Sequence, residues 1–273
     1  MIKDIAVHLT GSAEDAVRLA EAARLARALG ARITGLQVDQ RPEVLAITDP
    51  SGSAFLQDLS ARSEQQGAAV ATSLQQELGR LGVDGELHRL ELYPGQVGKR
   101  LAYEARQSDL FVGTRPYGAP RGGEWIEEAV LFESGRPCLF VPPGHRAEGE
   151  HRTVFIAWKE TSEAARAVAA AMPLLQRAEK VVVGTIDEGE TDGWGEPGAD
   201  ICRYLAHHGV EAEVQPVEKW SSVGGAILDA AVVAAADLLV MGAYGHSRYR
   251  EWILGGATRD VLSVAALPVL VAH

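Results

Sequence analysis

Four glycines and one hydroxyl near the C-terminus have the spacing best suited to chemistry. Gly242, Gly245, Gly255 and Gly256 lie between a buried apolar run, Leu238 to Met241, and a helical pattern that stops before Pro268. Thr258 is the nearest hydroxyl after the last glycine. Glycines where a strand hands over to a helix let backbone N–H groups point at an anion, and the helix N-terminus adds roughly half a positive charge. Such a place suits phosphate. His246, Ser247, Arg248 and Arg250 stand between the glycines. They read either as side chains that neutralise phosphate or as a solvated basic turn.

Other candidates are weaker. Glu160 precedes a helix pattern that opens at Ser162. Its carboxylate either accepts from a ligand's amino or hydroxyl group or, with Glu163, complements the helix N-terminus. The first half has a counterpart of the glycine stretch, Gly113 to Gly123, but Pro116 and Pro120 remove amide donors there and fix φ, so it reads as a degenerate site for packing or a different ligand. Arg115 and Arg121 remain able to attract an anion there. Cys202 lies five and six residues from His207 and His208, whereas helical metal pairs favour i and i+4, so no metal site is expected. His8 and His273 show no partners in the sequence. No Ser/His/Asp, Cys/His or paired-carboxylate set with hydrolase spacing is present, and no catalytic residue is assigned.

The elements that must position these residues alternate strand and helix. The first half reads as strand 2–9, a helix from Ser12 as N-cap to Gly30, strand 32–38, helix 54–81, strand 85–92, helix 96–107, strand 110–113, helix 124–134 and strand 137–141. A Pro-, Gly- and charge-rich stretch, 142–150, has the composition of a linker. The order then restarts at Thr153. Gly35 overlays Gly184, Asp109 overlays Asp237 and Pro137 overlays Pro268, so the chain is read as one domain written twice, over 1–143 and 152–273. Each copy implies an open parallel five-stranded sheet with helices on both faces, an α/β Rossmann-like fold whose ligands lie beyond the strand C-termini at the switch point.

The spacing Gly242-x2-Gly245-x9-Gly255, with its flanking strands, resembles the nucleotide loop of the universal stress protein family, and the resemblance runs over nearly the whole chain. It implies a tandem member of that family, with the adenine nucleotide alpha hydrolase-like fold. It also implies an adenine nucleotide, ATP or AMP with Mg2+ accompanying ATP, in the C-terminal half, with Glu160, Ile186, Gly242, Gly245, His246, Ser247, Gly255, Gly256 and Thr258 as the binding residues. The expected output is a stress-response factor acting through conformation or partner binding, with at most slow ATP hydrolysis. The alternative is a scaffold or small-ligand carrier of the same fold. The family usually has Ser or Thr directly after the last glycine and Asp at the end of the first strand; here those positions hold Gly256, and Thr10 or Glu160.

Composition sets the outer bounds. With 47% apolar and 23% charged residues the chain is ordinary globular material, and its formal charge of -11 repels nucleic acid and anionic membrane. No apolar run approaches the ~20 residues of a membrane helix and no export signal precedes the first strand, so a cytoplasmic location is expected. The last strand of each copy, 138–141 and 269–272, is apolar and would leave an open edge. An intramolecular pseudo-dimer with these strands antiparallel is therefore expected, with further homodimerisation left open.

Overall fold

The computed structural model describes residues 1–41, 50–118, 124–186, 198–218, 222–243 and 256–273. The first module runs β1 (Asp4–Leu9), α1 (Glu14–Leu29), β2 (Arg32–Gln40), α2 (Pro50–Arg80), β3 (Gly85–Leu92), α3 (Val97–Ala105), β4 (Leu110–Thr114), α4 (Glu124–Glu133) and β5 (Cys138–Val141). The second runs β6 (Thr153–Trp158), α5 (Ser162–Leu175), β7 (Lys180–Ile186), α6 (Ala199–His207), β8 (Ala212–Val217), α7 (Val223–Val233), β9 (Leu238–Gly242), α8 (Ala257–Val264) and β10 (Val269–Ala272). Strands within each module are parallel, in the orders β3-β2-β1-β4-β5 and β10-β9-β6-β7-β8. The order reverses between β1 and β4 and again between β6 and β9. Those two points open the crevices in which such sheets hold ligands.

The modules share one sheet of ten strands, because β5 and β10 pair antiparallel with Leu139 opposite Leu270. Both strands are buried on both faces, which is why they read as unbroken apolar runs. Leu139, Val141, Leu270 and Ala272 join the core under α1, α2, α5 and α6, while Cys138, Phe140, Val269 and Val271 join the core under α3, α4, α7 and α8. Burial, with the Glu127 carboxylate as a second cause, pushes the Cys138 thiol far above its ordinary value, so it packs as an apolar group.

Polar contacts also hold the junction. Arg115, after β4, donates to the carbonyl of Ser263 in α8. Gly118 has φ +94°, and a side chain there would place its Cβ 2.3 Å from the same carbonyl oxygen, so this turn needs glycine twice over. Arg259 of α8 lies over the Tyr117 ring, 5.0 Å from its centroid. On the other face the buried His151 ring sits between modules, its Nε2 3.1 Å from Glu21 of α1 and its Nδ1 3.5 Å from Asp237, which precedes β9. Arg24 pairs with Glu21 and lies against the ring, and His145 stands 3.7 Å from the second Glu21 oxygen.

Burial alone would raise Glu21, but His145, His151 and Arg24 hold it well below the usual carboxylate range. Burial likewise opposes charging of His151, yet hydrogen bonds to Asp237 and Glu21 outweigh that and the adjacent Arg24, and raise it. Asp237 is lowered because the His151 ring and the N–H groups of Arg152 and Thr153 overcome its own burial.

One sequence expectation fails at α1. The residue before the helix is Ala13 and no side chain caps it, so Ser12 is not the N-cap. Asp15 performs the equivalent task one turn on: its carboxylate accepts from the N–H groups of Thr10, at 2.9 Å, and Gly11, at 2.7 Å. An acid in the first turn also complements the helix dipole.

Candidate functional site: two unequal crevices

In the second module β9 ends at Gly242 against the first turn of α5. A Cβ at 242 would lie 2.5 Å from the Ala164 nitrogen and 2.8 Å from the Glu163 carbonyl carbon, so only glycine lets the strand pass the helix end this closely. Thr161 is the N-cap of α5, accepting from the Ala164 N–H at 3.2 Å. Glu163 is the acid that complements this terminus. Burial opposes its charge, but its own backbone N–H with Ser162 and Thr161 holds it below the ordinary range. Glu160 lies outside that arrangement, exposed in the turn after β6. The two glutamates are thus separated by position, and Glu160 is not the capping acid.

The other expected binding residues fall as follows. Ile186 is the last residue of β7, paired with Val217 of β8. Gly256 occupies the N-cap position of α8 with extended backbone and has no side chain with which to cap that helix. Thr258, in its first turn, is buried at 3% exposure. Gly242, Gly256 and Thr258 thus lie at the C-terminal end of the sheet, Gly242 against the first turn of α5. Gly245, His246, Ser247 and Gly255 lie outside the described residues, as do Arg248 and Arg250.

The first-module crevice is built from different chemistry. Strand register sets Gly113 opposite Phe140 and Met241 opposite Val271, so Gly113 corresponds to Met241 and Thr114 to Gly242. The offset between Asp109 and Asp237 gives the same correspondence. Arg18 of α1 donates to the Thr114 hydroxyl at 2.6 Å and to Thr10 at 3.2 Å, and also pairs with Asp15. The turn after β1 therefore already contains its own carboxylate on the amides that would otherwise face an anion. Arg115 and Gly118 are committed to α8.

A cavity of about 320 Å³ nevertheless opens beside this turn, lined by His8, Thr10, Asp39, Ser63, Gln66 and Gly67 among others. His8 has a partner after all. Its Nδ1 lies 2.9 Å from Oε1 of Glu127 in α4, both side chains being nearly sealed from solvent. His273 also has neighbours: Nδ1 bonds the Ala243 carbonyl at 3.0 Å and the ring meets Phe132 edge-on at 4.7 Å. The His8–Glu127 and His273–Phe132 contacts join positions more than a hundred residues apart, out of reach of sequence spacing. Cys202 is half-buried and unpaired in a disulfide, and no group of three metal-binding side chains occurs among the described residues.

Comparison with known proteins agrees with this architecture. Residues 150–273 match the model of the Universal stress protein family. The chain is similar in structure to a universal stress protein from Archaeoglobus fulgidus DSM 4304, with a TM-score of 0.71 at 19% identity, covering 98% of this chain and 95% of that one. A Pseudomonas aeruginosa PAO1 protein described as functionally unknown is similar with a TM-score of 0.62 at 15% identity, covering 99% and 92%. At such identities the likeness concerns the fold. No curated protein matches the chain. No helix among the described residues is long and apolar enough to cross a membrane. The C-terminal half of this chain belongs to the Universal stress protein family, and the whole chain has that family's fold twice in tandem.

Proposed function

We propose that the chain is a nucleotide-responsive stress protein whose second module binds an adenine nucleotide, ATP or AMP, while the first module takes no phosphate. The observation that carries this is the contrast between the two crevices. In the second, two helix N-termini, those of α5 and α8, stand at one end of the sheet, and α8 opens at Gly256, which has no side chain to cap its amides. Uncapped helix amides favour anions. In the first, Asp15, Arg18 and Thr114 fill the corresponding space.

In this reading the phosphates face Gly256 and the glycine loop before it, and the exposed Glu160 accepts from the ribose or adenine. Thr258 shapes the start of α8. Mg2+ accompanies ATP on the phosphate oxygens, with no dedicated cage of protein ligands, as is usual for this cation. The nucleotide is read as a signal that changes conformation or partner binding. No base or lysine for phosphoryl transfer is assigned among the described residues.

The test is calorimetric titration with ATP, AMP and adenosine. Glu160→Ala should weaken all three by a similar factor, about tenfold or more for one charged hydrogen bond. Absence of ATP and AMP binding in the wild-type chain would overturn the proposal and leave the scaffold or carrier reading of the same fold.

A further inference from the structure

The first-module cavity holds a group that the proposed nucleotide site does not use. His8 is 3% exposed and lines the cavity. Its Nδ1 is taken by Glu127, whereas Nε2 has no partner among the described residues and is not among the side-chain atoms sealed from solvent. A neutral imidazole whose Nδ1–H donates to a carboxylate presents the lone pair of Nε2. The open edge of the ring is therefore Nε2, held in one orientation by Glu127.

The remaining lining favours the same kind of ligand. Asp39 is fixed by Gln37, which donates at 2.9 Å, and by Arg89, so its carboxylate is oriented while the nearest guanidinium is already neutralised. Gln37 is itself anchored to the Gly67 carbonyl at 2.9 Å, which ties β2 to α2 across the cavity floor. Thr10, Ser63, Gln40 and Gln66 add hydroxyls and amides. Among the described residues no aromatic ring other than His8 is on the lining.

Position relative to the other module sharpens the contrast. Asp109 holds the amides of Lys3 and Asp4 as Asp237 holds those of Arg152 and Thr153, which places His8 over Ala157, and the spacing that overlays Pro137 on Pro268 places Glu127 over Thr258. Where one module has a methyl and a hydroxyl, the other has an imidazole and a carboxylate. A carboxylate there repels phosphate and accepts hydrogen bonds.

We propose that the first module is a second, separate ligand site, built on the His8–Glu127 pair, for a small uncharged polyhydroxylated molecule of sugar-like chemistry. Its hydroxyls bond Nε2 of His8 and donate to Asp39, and the side-chain amides and hydroxyls satisfy the rest. A cavity of about 320 Å³ is at the small end of ligand pockets, which run from about 300 Å³, and fits a ligand of this size without phosphates.

The experiment uses the full chain labelled with 15N-histidine, with D-ribose, D-glucose and myo-inositol as probes and inorganic phosphate as counter-probe. Long-range proton–nitrogen spectra should show His8 protonated at Nδ1. One or more of the polyols should shift its Nε2 resonance, and phosphate should not. The variant H8A/E127T copies the arrangement at Ala157 and Thr258 and leaves no unpaired charge. It should abolish polyol binding while retaining the wild-type response to ATP, which separates this inference from the nucleotide reading. Glu127→Gln keeps the side-chain volume and should weaken the polyol about tenfold, the loss of a charge-assisted interaction that holds the acceptor ring. If none of the three polyols moves the His8 signal, if phosphate moves it instead, or if both variants bind polyol like wild type, the proposal is wrong.

Discussion

Removing the proton from His151 should loosen the junction between the modules. The ring lies 3.1 Å from Glu21, which is fully buried, and 3.5 Å from Asp237, which is partly exposed. The Asp237 contact is screened by solvent, so most of the effect belongs to Glu21. Loss of one charged, buried hydrogen bond costs about 1.5–3 kcal/mol. It falls short of the about 3–5 kcal/mol of a stranded buried charge because Arg24 remains on Glu21. His151 is raised above its ordinary 6.5, so its contribution is complete below that pH and is lost as pH rises through the folded value. Glu21 and Asp237 are lowered from 4.5 and 3.8, so theirs is present above those values and lost as pH falls through the folded ones. The clasp is complete between the two limits.

Urea unfolding of wild type and His151→Gln at about pH 5.5 and about pH 9 measures this. The wild type should be more stable by about 1.5–3 kcal/mol at the lower pH, with the gap narrowing at the higher. A gap that stays constant, or widens with pH, would refute the assignment of a charged His151 between the two carboxylates.

Two further outcomes follow from packing. Gly242→Ala should destabilise the second module by about 1–3 kcal/mol, because its Cβ meets the backbone of α5, and should weaken ATP more than the same change at the exposed Gly79; urea midpoints and titration read both effects. Amides of Leu139 to Val141 and Leu270 to Ala272 should exchange only on global unfolding, as expected for a strand pair at the centre of a sheet; exchange as fast as at the chain ends, seen by mass spectrometry, would argue against the pairing.

Much of the architecture was legible because it is local. Unbroken apolar runs at 138–141 and 269–272, each behind a proline, announce strands buried on both faces, and the structure pairs them antiparallel. The repeat anchored at Asp109 and Asp237 has a shared physical cause. Asp109 accepts from the N–H groups of Lys3 and Asp4, and Asp237 from those of Arg152 and Thr153, so each ties down the start of its module's first strand. The site was legible only in part. The Glu127 partner of His8 arrives through the crossing of α4 over the sheet, and the Glu21–His151 contact exists only once two modules are packed. The overlay of Gly35 on Gly184 is one residue out of step: Gly35 pairs with Val7 and faces Leu9 and Leu78, whereas Gly184 pairs with Ala157 and faces Phe155 on the other side of the sheet, a matter of strand register that glycine spacing does not report.

The antiparallel joint at β5 and β10 also changes what a single mutation does. When two identical chains pair through such a joint, every substitution appears on both sides of it, and the two ligand crevices must change together. Here the joint closes within one polypeptide, so a codon alters one crevice and spares the other. Glu127 stands in one module while Thr258 stands in the other, and each can be tuned without regard to its counterpart. Dilution cannot separate them either, so a response that depends on both crevices has a fixed stoichiometry of one to one.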